Sequence, residues 1–149
     1  MNVLTTRFGE PEIVAVDERQ IYSLAIVGFG EGRRFAWIVE RENPALGWLQ
    51  SLDDPSLCFV VADPGYFFPD YEFDLSEEEV RALGLWSSDD AAALVIVRVA
   101  ADIRESTANL AAPLVLSRRS RRGRQIVLND GRWSVRTPLL RPTASAVGV

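Results

Sequence analysis

Asp70, Glu72 and Asp74 stand at alternate positions, with Tyr71, Phe73 and Leu75 in register between and after them. On an extended backbone this stretch sends three carboxylates to one face and three apolar side chains to the other. Same-face neighbours lie about 6.8 Å apart, where two like charges repel by roughly 0.6 kcal/mol in water and roughly 2.4 kcal/mol at an effective dielectric of about 20. The chemistry here is recognition: an anionic face for solvent or a cation, backed by grease. Tyr66, Phe67 and Phe68 just upstream bring the aromatics to five in eight residues. At about 150 Å² each they carry more apolar area than a monomer usually leaves bare, so core or a partner must cover part of it. Phe73 is expected in the core, and Tyr66, Phe67, Phe68 and Tyr71 are the candidate apolar anchors for a partner.

Covalent and acid–base chemistry is poorly served. The chain has no histidine, which excludes Ser-His-Asp triads, Cys-His pairs and imidazole metal sites. Asp53-Asp54 and Asp89-Asp90 are carboxylate pairs, but in turn-like contexts such residues cap backbone N–H groups. Gly28-Phe29-Gly30-Glu31-Gly32 is glycine-rich yet lacks the Lys-Ser/Thr ending of a phosphate loop, and reads as a flexible turn. Cys58, the one cysteine, lies in an apolar run and reads as an inert buried thiol, with no disulfide possible and a reducing compartment implied. No catalytic residue, metal site or cofactor is expected.

Charge is unevenly placed. Residues 1–97 hold 18 carboxylates and 6 arginines, whereas residues 98–149 hold 3 and 10, for a net charge of −5. From Arg41 to Arg81 ten acids occur with no intervening base, a field that attracts a cationic partner and repels nucleic acid. The run Arg118-Arg119-Ser120-Arg121-Arg122-Gly123-Arg124 could contact phosphate, but its strand-like flanks offer no aromatics for base stacking. It is read as a solvated connection, and direct nucleic-acid binding is not expected. Trp37, Trp48, Trp86 and Trp133 are assigned to core packing.

The elements that must position these residues are short strands. β-type runs cover residues 3–8, 13–16, 35–39, 48–52, 58–62, 93–99, 114–116 and 125–128, punctuated by turn residues. Asp130-Gly131 predicts a tight hairpin between 125–128 and 133–135, and Gly9-Glu10-Pro11 a weaker one. Ser76 followed by Glu79 is a capping box opening a two-turn helix, with Leu75 and Val80 as its staple and Gly84 as its left-handed stop. At 149 residues the chain can bury a core without a staple. The predicted fold is mainly β: a small antiparallel β-barrel-like single domain with one short helix, spanning residues 1–141, with a frayed tail over 142–149. A start lacking a basic then apolar segment, and no apolar window near 18 residues, predict a cytoplasmic protein without membrane association.

Three stretches in order carry a specific resemblance: Trp48-Leu49-Gln50-Ser51-Leu52-Asp53-Asp54-Pro55, Cys58-Phe59-Val60-Val61-Ala62-Asp63-Pro64, and Phe67-Phe68-Pro69-Asp70-Tyr71-Glu72-Phe73. With Leu75-Ser76-Glu77-Glu78, the run from Thr107 through Asn109 to Leu116, and Arg122-Gly123-Arg124-Gln125-Ile126-Val127-Leu128, they resemble the FliW family of flagellar assembly factors over roughly residues 3 to 139. The resemblance implies a β-barrel-like protein that binds CsrA, a basic dimeric RNA-binding repressor, and so relieves repression of flagellin mRNA. It also implies flagellin as a competing partner, held in the cytoplasm before export. Asn109, inside a matched run, joins Tyr66, Phe67, Phe68, Asp70, Tyr71, Glu72 and Asp74 as a candidate protein-binding residue. The family's Phe-Pro-Glu-Gly-Ile-Pro-Gly-Phe is replaced by Tyr22-Ser23-Leu24-Ala25-Ile26-Val27-Gly28-Phe29, so a less rigid loop is expected there. Competing readings are a flagellin chaperone without CsrA activity and a sugar- or flavin-binding barrel enzyme, the latter opposed by the missing histidine and phosphate loop.

Overall fold

Alternation of apolar and polar side chains at a period of two dictates most of the architecture. The computed structural model describes residues 1–140, so the expected frayed tail lies outside the described residues. Strands β1 (Asn2–Thr5) and β2 (Glu12–Ala15) form the hairpin that Gly9-Glu10-Pro11 predicts. Then come β3 (Ile21–Ile26), β4 (Gly30–Val39), β5 (Leu46–Ser51) and β6 (Cys58–Ala62), an antiparallel meander. Helices α1 (Pro64–Phe67) and α2 (Glu77–Leu83) follow, then β7 (Ala91–Arg98), β8 (Thr107–Ala108), β9 (Leu114–Ser117), β10 (Arg122–Gln125) and β11 (Thr137–Pro138).

Seven strands close into a barrel. β7 pairs with β6 on one side and with β9 on the other, through Ala92↔Leu116 and Leu94↔Leu114. β9 turns into β10, which returns to β3 in the one parallel ladder, Arg122↔Ser23 to Arg124↔Ala25. Closure there demands Gly123, because a Cβ would stand 2.6 Å from Leu24 Cδ2 and 2.9 Å from the Val115 carbonyl. β8 and β11 hang as short additions on the β7 edge.

Inward residues Tyr22, Leu24, Phe35, Leu49, Val61, Leu94, Leu114 and Leu116 make the barrel interior. Outside it, Val3 and Val16 pack the first hairpin against Ala36, and Leu83 of α2 packs on Val115 and Ile126. A further cluster gathers Ala62, Phe68, Val95, Val97, Ala108, Leu110 and Leu139. The Ser76–Glu79 capping box is formed reciprocally, at 3.1 and 2.9 Å, and Gly84 ends α2 at φ +68°.

Four expectations are corrected. Residues 21–26 are not a loosened loop but barrel strand β3, because Tyr22, Leu24 and Ile26 alternate inward; only the turn at 27–29 is loop. The Asp130-Gly131 turn does not join paired strands. The amides of Ile126 and Leu128 already donate to the Pro113 and Ala111 carbonyls, so this segment has its partner elsewhere. The arginine run is the turn and start of the β9–β10 hairpin, not a simple solvated link: Arg118 donates to the Ala91 carbonyl, Arg119 lies over Trp86, and Arg121 lies over Tyr22. Trp86 itself is 77% exposed rather than core, while Trp37, Trp48 and Trp133 are half-buried.

Candidate acidic docking site

The strip begins where β6 ends. Asp63 caps α1, its carboxylate accepting the Gly65 amide at 2.9 Å, with Pro64 preset for the first turn. This one-turn helix swings Phe68 into the core, where it is 1% exposed against Ala62, Val95, Val97 and Leu110. Phe68 is therefore withdrawn from the set of surface anchors: its ring is the peg that holds the strip to the barrel. Burying such a ring contributes on the order of 2 to 3 kcal/mol.

From Tyr71 to Leu75 the chain belongs to no helix or sheet, and the alternation survives: Asp70, Glu72 and Asp74 are exposed, while Tyr71, Phe73 and Leu75 are half-buried. Side-chain anchorage replaces a ladder. The Tyr71 hydroxyl donates to the Leu110 carbonyl at 2.7 Å, and its ring meets Trp133 edge-on at 4.8 Å. Burial, helped by the negative charge of Asp130, pushes this phenol well above the usual tyrosine range, so Tyr71 serves as a neutral donor. Phe73 and Leu75 pack on the Leu83–Val115–Ile126 cluster.

Sequence reasoning missed the other half of the clamp. Trp133 Nε1 donates to the Glu72 carbonyl at 3.1 Å, and Arg132 reaches the Glu72 carboxylate at 3.3 Å. That ion pair is largely solvated, with the two side chains 52% and 76% exposed, and contributes about 0 to 1 kcal/mol. Asp70 and Asp74 have no ion pair among the described residues. The strip's charge is thus only partly neutralised internally. The one local signal for this clamp was the Asp130-Gly131 turn, which bends the chain so that Arg132 and Trp133 face the strip.

Beside it lies a groove of about 430 Å³, floored by Phe73, Ile126 and Leu128 and walled by Asp74, Glu79 and Asp130. An apolar floor between carboxylates suits the aliphatic stem and charged head of an arginine or lysine. At the strip's upstream end Tyr66 is 68% exposed and stands edge-on to half-buried Phe67 at 5.0 Å. Asn109 is not part of this surface: its carboxamide accepts the Ala111 amide at 3.1 Å, and it lines a separate depression with Arg98 and Arg136.

In each of the two adjacent carboxylate pairs one member behaves as a cap. Asp54 accepts both the amide and the hydroxyl of Ser56, which lowers its pKa, and Asp90 accepts the amides of Trp86 and Ser87. Among the described residues no cluster of three or more His, Cys, Asp or Glu is placed to hold a metal ion, and no helix is long and apolar enough to cross a membrane.

The chain matches the family model described as FliW protein over residues 2–139. The flagellar assembly factor FliW 2 of Desulfotalea psychrophila is 36% identical over 141 residues, covering 93% of this chain and 91% of that protein. The flagellar assembly factor FliW of Syntrophomonas wolfei is 34% identical over 145 residues, covering 96% and 91%. A crystal structure of the flagellar assembly factor FliW superposes with a TM-score of 0.84 at 29% identity, covering 96% of this chain and 99% of that one. The same seven-stranded barrel and the shared sequence along nearly its whole length place this chain in the FliW family of flagellar assembly factors.

Proposed function

We propose that this chain acts without catalysis, as a cytoplasmic protein-binding regulator that docks the basic repressor CsrA on the Asp70–Leu75 strip and so relieves repression of flagellin mRNA. In the same cycle it holds flagellin before export. The observation that carries this reading is the pairing of outward Asp70 and Asp74, free of ion pairs among the described residues, with a strip pinned from behind by Tyr71 and Phe68. A strip anchored by its apolar side chains and carrying carboxylates without ion pairs favours fast, oriented capture of a cationic surface. The neighbouring acidic groove supplies a pocket for one basic side chain.

Asp70→Lys, Glu72→Lys and Asp74→Lys combined should weaken CsrA binding by on the order of a hundredfold or more in calorimetry, while the thermal melt stays near wild type. Unchanged affinity would refute the docking role. A second reading has one observation in its favour: Tyr66 and Phe67 form an exposed apolar edge suited to an amphipathic helix of flagellin. If flagellin binds tightly to both proteins and CsrA to neither, the chain is a flagellin chaperone alone.

A further inference from the structure

We infer that the barrel end beneath the arginine-rich turn is a binding site for a small organic anion with an apolar body. The β6–β7 ladder stops at Ala62↔Val95, while Ala91–Leu94 run on paired with β9. The seam therefore opens at this end, and the side chains there are too small to fill it. Ala92 contributes one methyl group, and Gly47 is held to none because a Cβ would stand 2.6 Å from the Ile38 carbonyl. The result is a cleft of about 450 Å³ walled by Trp37 and Val61. A second hollow, about 680 Å³, shares Trp37, Val39 and Arg118 with it and adds Tyr22, Arg19 and Arg121. Concave barrel mouths of this size, which join apolar walls to convergent polar groups, are where small ligands bind.

The cationic groups there are guanidinium. Arg118 is braced on the Ala91 carbonyl at 3.1 Å at the wall common to both hollows. Arg121 lies 4.0 Å over the Tyr22 ring and donates through Nη1 to the Tyr22 hydroxyl and the Arg118 carbonyl. Its Nη2 is buried with no hydrogen-bond partner among the described residues. Arg121 also adopts φ +60°, the one side-chain-bearing residue to do so among those described, a conformation that L side chains rarely adopt. The fold thus tolerates both strain and an unmet donor at this arginine, which lines the second hollow. Facing carboxylates are few and engaged: Asp17 pairs with Arg19, and Asp63 caps α1. A carboxylate or phosphate monoester reaching Arg118 and Arg121, its ring against Trp37 and Ala92, satisfies both halves of the site. This surface is opposite in charge to the acidic strip and independent of its role.

The test is a 1H–15N titration of the full chain with phenyl phosphate, with benzoate, and with neutral benzyl alcohol, reading the Trp37 indole and the Gly47 and Ala92 amides. Saturable shifts are expected for at least one anion, with benzyl alcohol at least about tenfold weaker, and the two anions distinguish phosphate from carboxylate. Arg118→Gln should weaken binding about tenfold. Ala92→Leu, which fills the mouth and keeps every arginine, should abolish it while the spectrum stays dispersed. Shifts absent to about 5 mM anion, equal shifts with benzyl alcohol, or wild-type binding by a folded Ala92→Leu protein would each overturn the assignment.

Discussion

Cys58 lies half-buried in β6, and withdrawal from water pushes its thiol up to about 11, against a smaller opposing pull from Arg7. Because the thiolate is the nucleophile, at pH 8 the folded chain should react with iodoacetamide on the order of a hundred times more slowly than the unfolded chain, whose thiol titrates near its ordinary value. The sign for stability follows: burial favours the protonated thiol, so this contribution is complete below the ordinary cysteine pKa and is lost as pH rises through the folded value. Labelling read by mass spectrometry, with and without guanidinium, checks the rate; equal rates would show Cys58 to be a freely exposed thiol. Gln50, by contrast, is wholly buried and works as a polar hub, accepting from the Thr5 hydroxyl and donating toward the carbonyls of Ser51, Asp54, Pro55 and Leu57. It shapes the β5–β6 turn that precedes Cys58.

Helix α2 is the element whose sequence signals are wholly local, and its energetics can be read the same way. Ser76→Ala removes the acceptor for the Glu79 amide and should cost about 1 kcal/mol. Gly84→Ala forces a Cβ into a φ of +68° and to 3.0 Å from Arg122 Nη2 and 3.2 Å from Ser120 Cβ, so it should cost at least about as much again. Urea melts of the two variants check this; a Gly84→Ala protein as stable as wild type would mean that the helix end relaxes out of its left-handed cap. Legibility follows the same divide between local and distant. The capping box, the β6 boundaries and the alternation at Asp70–Leu75 were readable because each depends on neighbours in sequence. Residues 126–128 were misread because their amides bond to carbonyls of residues 113 and 111, a pairing no local pattern announces. Phe68 looked like its exposed neighbour Tyr66, and only the turn of α1 decides which aromatic faces inward. Arg132 and Trp133 meet Glu72 from sixty residues away, so the clamp depends on closure of the whole fold.

At the scale of the whole molecule, the decisive quantity is the distribution of charge. Carboxylates dominate residues 1–97 and arginines residues 98–149, yet the fold threads the halves together, laying Arg132 on Glu72 and the arginine-rich turn against the α2–β7 connection. What remains exposed at the strip is a patch rather than a pole, its field set by Asp70, Asp74 and the groove acids Glu79 and Asp130. Screening shrinks the reach of such a field from about 10 Å at 0.1 M salt to about 3 Å at 1 M, whereas apolar contacts made after docking are little affected. If the strip steers CsrA, raising ionic strength from about 0.02 to 0.5 M should slow association by about tenfold or more and change dissociation far less. Arg132→Ala removes the one cation paired to the strip among the described residues, so it should speed association at low salt and steepen the salt dependence. Stopped-flow mixing of the two purified proteins measures both rates. An association rate indifferent to salt and to Arg132 would transfer the recognition from the carboxylates to the Tyr66–Phe67 edge, where desolvation rather than long-range attraction sets the rate.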